Sequence, residues 1–204
     1  MITIIDYGVG NINAFVNVYK RVDVPVKIAK TAADLEGAEK LILPGVGHFD
    51  HAMNQLNNSG MREKLDDLVL NQKIPVIGIC VGMQMMANNS DEGEVEGLKW
   101  IDATVKKFDE TKIHQVTRLP RMGWNDVKPV KDISLFQGLE KEAIFYFLHT
   151  YYFHCNQAQD ILAVSEYGGE FASAAHHDNI FGIQFHQEKS HHYGEILLHN
   201  FAKL

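Results

Sequence analysis

A chain of 204 residues with 46% hydrophobic and 22% charged side chains is sized for one large domain with a sizeable core. Its formal net charge of −7, unbroken by any basic block, argues against a nucleic-acid or anionic-membrane surface. No apolar run approaches the length that spans a bilayer and the opening MITIID lacks the basic region of a signal peptide, so a cytoplasmic protein is expected, with Cys80 and Cys155 as free thiols.

The first half alternates two patterns. ITIID (2–6) is an apolar run of strand length, followed by the turn YGVGN (7–11) and a helical stretch, INAFVNVYKRV (12–22). VPVKIAK (24–30) predicts a second strand, and TAADLEGA (31–38) a short helix capped by Thr31. KLILP (40–44) predicts a third strand, ended by Pro44-Gly45-Val46-Gly47, before helical patterns at 48–58 and 61–72. IPVIGIC (74–80) predicts a fourth strand and VGMQMMANN (81–89) its helix. Strand–helix alternation with short connections implies parallel strands joined by right-handed crossovers. Such strands are buried on both faces, and therefore apolar without alternation.

The second half runs strand after strand: DATVKKFD (102–109), QVTRL (115–119), AIFYFLHTYYF (143–153), ILAVSEYGG (161–169), FASAAHH (171–177) and IFGIQFH (180–186). Asp178-Asn179 is a hairpin signal between the last two, and Ser190 is placed to cap a closing helix over 191–204. The expectation is an α/β fold forming one domain over residues 1–204. Its central, mostly parallel sheet is flanked by helices, with additional antiparallel strands in the second half.

Where the fourth strand meets its helix stands Gly78-Ile79-Cys80-Val81-Gly82, a G-x-C-x-G counterpart of the G-x-S-x-G nucleophile elbow. In an elbow the nucleophile sits on a strained turn, and flanking glycines let strand and helix approach closely enough to make it. A cysteine there gains thiolate character from the helix dipole and free N–H groups, and the Val81 amide would face an oxyanion. The pentapeptide by itself fits a small buried core cysteine as well.

A nucleophile needs a base. Among eleven histidines, His186 ends the last strand-like run, with Glu188 two residues on. Spacing of two along extended backbone puts both side chains on one face, so the carboxylate can orient the imidazole and stabilise its charged form. Cys80, His186 and Glu188 then follow the nucleophile, base and orienting-acid logic of a triad. Cys80 and His186 also end predicted strands, at the sheet edge that carries sites in parallel α/β folds.

Other signals are weaker. GVGN lacks the third glycine of a dinucleotide-binding turn. His176-His177 and His191-His192 are adjacent pairs that do not share a face, so solvated side chains are expected there and not a metal site. Met83, Met85, Met86 and Cys155 are expected to pack in the core.

The segments IIDYGVGNI, LILPGVGHF, GICVGMQMM, RMGWN, FYFLHTYYF and GIQFHQEKS, in that order over nearly the whole chain, resemble the class I, triad-type glutamine amidotransferases. Within them the resemblance is to the glutaminase subunits of the imidazole glycerol phosphate synthases. It implies hydrolysis of L-glutamine to L-glutamate and ammonia through a thioester on Cys80, with His186 as acid and base and Glu188 orienting it. It implies no cofactor and no metal. It implies an oxyanion hole from the backbone of Val46, Gly47 and Val81, and a substrate pocket formed by Gly45, Gln84, His149, Thr150 and Tyr151.

The resemblance also implies a TIM-barrel cyclase as heterodimeric partner. The barrel would receive the ammonia internally and make imidazole glycerol phosphate and an aminoimidazole carboxamide ribotide in histidine biosynthesis, with glutaminase activity low until the partner's ligand arrives. RMGWN would lie on the docking side, Trp124 and Asn125 being interface residues on a Gly-rich turn. Two positions depart from the family's pattern. Gln187 stands where proline usually follows the histidine, which adds a backbone N–H and frees the segment, and Arg121 stands where the family usually has histidine. Neither removes a catalytic group, but both leave open which synthase is served. Two other readings stand beside the first: a paralogous glutaminase supplying ammonia to a cell-surface sugar amidotransferase, and a non-enzymatic binding protein that retains the fold.

Overall fold

A computed structural model describes residues 1–114, 119–141 and 143–204; the strand expected at QVTRL lies almost wholly outside them. The described strands are β1 (Ile2–Ile5), β2 (Val26–Ala29), β3 (Leu41–Gly45), β4 (Val76–Cys80), β5 (Asn89–Ser90), β6 (Ala103–Lys107), β7 (Arg121–Asp126), β8 (Lys128–Pro129), β9 (Ile144–His149), β10 (Tyr151–Cys155), β11 (Ile161–Glu166), β12 (Glu170–His177) and β13 (Ile180–Ile183). The α-helices are α1 (Ile12–Arg21), α2 (Phe49–Asn58), α3 (Arg62–Asp66), α4 (Val81–Met85) and α5 (His191–Lys203).

Strands run β2-β1-β3-β4-β13 with every neighbour parallel. Beyond β13 the main sheet turns antiparallel through β12, β10 and β6. β1, β3, β4 and β13 are buried along their whole length, which is why Ile, Leu and Val fill them without alternation. Each such side chain, fully buried, stabilises the fold by roughly 1.5–3 kcal/mol before entropy is counted. Asn11 caps α1 by accepting from the Ala14 amide, and Phe15, Val18 and Tyr19 form the buried stripe of that helix. The Asp178-Asn179 hairpin joins β12 to β13, with Asp178 in the left-handed region at φ 52°.

Several elements differ from expectation. The helix expected at 31–38 shrinks to one 3-10 turn, Ala33–Leu35, because the Asp34 carboxylate gathers the Lys30 and Thr31 amides and the Thr31 hydroxyl. The helix expected at 61–72 is α3 followed by a π turn, Asp67–Asn71. α4 ends at Met85 instead of 89, and Asn89 and Ser90 join the sheet as β5. The strand expected over 143–153 is two strands in two sheets: β9 pairs with β7 in a small sheet, β10 belongs to the main one, and the chain crosses over at Thr150. RMGWN is not a turn, since it lies within β7 and pairs residue for residue with β9. Ser190 precedes α5 without capping it. Its hydroxyl donates to His186 O at 2.5 Å and accepts from the Tyr146 amide at 3.1 Å, tying the small sheet to the end of the main one.

Candidate active site

The elbow is built by three close backbone approaches. Cys80 ends β4 at φ 55°, ψ −113°, in register with Gly45 of β3. A Cβ on Gly82 would stand 2.0 Å from Leu43 O, and one on Gly45 would stand 2.3 Å from the Gly82 nitrogen. A Cβ on Gly78 would stand 2.6 Å from both Gly82 O and Met86 Cε. Glycine is therefore required for α4 to start where it does, with the thiol held at the strand end. At five residues, α4 supplies less dipole than a long helix, which leaves the side-chain partners of Cys80 to be considered.

The main partner is His186. Its Nδ1 lies 2.9 Å from Glu188 Oε1, with both side chains buried, leaving Nε2 for the thiol. Burial alone would lower the imidazole pKa, but hydrogen bonds and charge from Cys80 and Glu188 outweigh it and raise it to about 10. The ring thus holds a proton at neutral pH beside Cys80. The segment that lacks the expected proline is held by other bonds. The His186 amide donates to Tyr146 O at 2.9 Å, and Gly194 of α5 packs so closely that a Cβ there would lie 1.9 Å from Gln187 O.

Cys80 and His186 open on a cavity of about 460 Å³, a size suited to a small substrate. Val46, Gly47 and Val81 line it, as do Gln84, His149, Thr150 and Tyr151. Gly45 does not, because its Cα abuts Gly82, which makes it a packing position of the elbow. Glu92, absent from the expected set, adds a carboxylate to the wall while accepting from the Phe49 amide at 2.8 Å. The run DEGEVEG contains four acids and nothing in it singles out this one. Among the described residues no three metal-ligating side chains converge.

His149 has a fixed polarity. Its Nδ1 lies 2.8 Å from the Tyr151 carbonyl and must donate, so Nε2 is a buried acceptor with no partner among the described residues. Burial is the main reason its pKa falls to about 3, aided by the nearby charges of Arg121 and His186. Because that value lies below the ordinary 6.5, the unfolded chain binds more protons between pH 3 and 6.5. Stability is complete above pH 6.5 and is lost as pH falls toward 3. His149→Asn, which keeps a donor for Tyr151 and cannot titrate, should therefore lose less stability between pH 7 and pH 4.5 than the unaltered chain. Urea unfolding at the two pH values measures this, and equal losses would contradict it.

Arg121 lies inside the protein and not on its surface. Only 7% exposed, its guanidinium carbon sits 4.6 Å from the Tyr167 ring centre and 5.1 Å from that of Phe147. The exposed side chains of the small sheet are the apolar Met122, Trp124 and Ile144 together with Asp126, and Trp124 stacks on His191 at 5.3 Å. Asn125 is tied to its own chain, donating to Glu166 O.

A doubly covered, largely parallel sheet that presents a cysteine elbow to a carboxylate-held histidine defines a class-I glutamine amidotransferase. The profile of the family Glutamine amidotransferase class-I matches residues 3–203, and the chain belongs to that family. Within it the chain belongs with the HisH subunits of imidazole glycerol phosphate synthase. It is 54% identical to “Imidazole glycerol phosphate synthase subunit HisH” of Bdellovibrio bacteriovorus and 50% identical to that of Leptospira interrogans, over the whole of both chains in each case. It is 44% identical, again end to end, to “Imidazole glycerol phosphate synthase subunit HisH 2” of Pseudomonas aeruginosa. Two solved structures share the fold at lower identity. A putative GMP synthase component from Thermoplasma acidophilum has TM-score 0.72 at 24% identity, covering 99% of this chain and 92% of that one. PurLQS from Thermotoga maritima has TM-score 0.75 at 12% identity, covering 99% and 97%.

Proposed function

We propose that the chain is the glutaminase subunit of an imidazole glycerol phosphate synthase, working in the cytoplasm on L-glutamine. The observation that carries the chemistry is the imidazole of His186, held by Glu188 and facing Cys80 on its strained elbow. Cys80 Sγ adds to the side-chain amide carbon, and the electron pair moves onto the oxygen toward the backbone of Val46, Gly47 and Val81. His186 gives its proton to the departing nitrogen, the C–N bond breaks, and ammonia leaves a thioester behind. The same imidazole then takes a proton from water, whose oxygen attacks the thioester carbon, and the C–S bond breaks to release glutamate. Glu92 is the carboxylate placed to pair with the ammonium of the substrate's α-carbon.

The partner in this reading is a TIM-barrel cyclase subunit that receives the ammonia. The Trp124 face of the small sheet, with Met122 and Ile144 beside it, is the surface suited to meet it. Among the described residues no helix is long and apolar enough to cross a membrane. The numbered relatives, HisH 2 in Pseudomonas aeruginosa and HisH 1 in Campylobacter jejuni, imply more than one copy in those organisms; the second reading for this chain is a glutaminase copy that serves a cell-surface sugar amidotransferase. The test is rescue of a histidine auxotroph lacking its own subunit, together with release of labelled ammonia from amide-labelled glutamine by the purified pair. Ammonia release without rescue selects the second reading. No release from the pair with the cyclase's ligand present removes the first.

A further inference from the structure

We infer that Gln184 is a further residue of the reaction: its amide donates to Cys80 Sγ, and its other end fixes which face of Gln84 the substrate meets. The second half of this statement rests on the glutaminase reading; the first does not.

The register of the sheet places Gln184 there. β13 pairs with β4 with Ile183 opposite Ile79, so the next residue of each strand, Gln184 and Cys80, stand side by side. Gln184 is fully buried, and a buried amide must find partners at both ends. Those partners admit one orientation. The Tyr151 carbonyl can only accept, and the Gln84 amide nitrogen lies 3.0 Å from it, which decides which end of Gln84 is nitrogen. The same nitrogen lies 3.0 Å from the Gln184 side chain and spends its second hydrogen there, so Gln184 must present oxygen. Its NH2 then points at Cys80, 3.8 Å from Sγ. The Tyr151 carbonyl thus fixes Gln84 as a double donor, to that carbonyl and to Gln184, and leaves Gln184 as the donor to the sulfur.

Two consequences follow from that direction. A donor on sulfur stabilises the thiolate over the thiol, in addition to what His186 contributes. Unlike His186, a carboxamide has no proton to lose, so its donation persists when the imidazole has passed its proton on. Both hydrogens of Gln84 are also spent inside the protein, so the end that it offers to the cavity is its carbonyl oxygen, an acceptor for a substrate N–H.

Gln184→Met keeps the volume and removes both ends. The rate of Cys80 alkylation by iodoacetamide is followed against pH on the Cys80 peptide, so that Cys155 does not enter. His186, with Glu188 behind it, and the cavity's Glu92 and Lys189 shape the profile in every variant. The rate at neutral pH should fall about 3- to 10-fold, with the midpoint moving to higher pH, and KM for glutamine should rise by about the same factor, as loss of one charge-assisted hydrogen bond requires. Gln184→Glu, which puts a carboxylate beside the sulfur, should move the midpoint further the same way. A purely packing role would lower the melting temperature and leave midpoint and KM unmoved, and that result overturns the inference. Should neither variant fold, the unaltered protein decides. The Gln184 side-chain amide resonance should titrate with the thiol and cease to do so in Cys80→Ala; a resonance indifferent to the thiol is equally fatal. Alkylation needs no glutamine, so a shifted midpoint in a protein that releases no ammonia even when paired with its partner and the partner's ligand would refute the glutaminase reading and leave the hold of Gln184 on the sulfur standing.

Discussion

Replacing Cys80 with alanine should abolish ammonia release from glutamine, a loss of about 10⁴-fold or more, with the fold intact. The size follows from the mechanism, since Cys80 is the one thiol among the described residues lining the cavity and the other cysteine of the chain, Cys155, is buried with its pKa pushed up to about 12 by burial. Folding survives because alanine tolerates φ 55° no worse than cysteine does, and a single buried atom is removed. The substitution also has a signature that loss of activity alone lacks. His186 owes part of its raised pKa to Cys80, so in the variant the ring should titrate below its value of about 10 while still held by Glu188. A coupled ammonia assay, a melting curve and the ring-proton shifts of His186 test all three. Activity retained in the alanine variant would mean that another group attacks the amide.

Gly82→Ala should be strongly damaging to both stability and activity. Its Cβ would lie 2.0 Å from Leu43 O, 2.9 Å from Leu43 C and 3.1 Å from Pro44 C, all backbone atoms in a buried strand. A side chain can swing aside, but strand backbone cannot move without breaking its pairing with β1 and β4. Either α4 lifts off β3 or β3 bends, at a cost of about 3–5 kcal/mol. In a chain of this length that corresponds to a melting temperature lower by roughly 8 °C or more. Because α4 starts at the residue after Cys80, the same displacement moves the thiol away from His186, and activity should fall with stability. Gly37→Ala is the control, having nothing within 4 Å of its Cβ and only the cost of φ 71° to meet. Equal melting temperatures for the two variants would show that α4 has room the structure does not contain.

The parts of this fold that were legible in the sequence are those that local pattern controls. β1, β3 and β4 read correctly because strands covered on both faces must be apolar throughout, and the elbow read correctly because only glycine permits it. The pairing of His186 with Glu188 followed from the two-residue spacing, although a 3-10 turn, and not strand backbone, carries Glu188. Features set by tertiary register stayed hidden. Nothing in AIFYFLHTYYF reveals that Thr150 changes sheets, since both halves have the same apolar character. Ser190 has the right residue type for a cap, but the His186 carbonyl and Tyr146 amide claim its hydroxyl. Gln184 and Glu92 acquire their chemistry from neighbours about 100 and 43 residues away, beyond the reach of any local motif.

The small sheet gives the catalytic base an unusual neighbour. Trp124 stands opposite Tyr146 in the β7–β9 pair, and Tyr146 is bridged in turn to His186. The three lie in one transverse row, spanning two strand spacings, about 10 Å in all. Tyr146 is the shared rung, its carbonyl receiving the amide of His186 and its amide donating to the Ser190 hydroxyl that clasps the far side of the same histidine. A displacement of β7 at Trp124 is therefore passed to the backbone of His186 through strand pairing and the Ser190 hydroxyl.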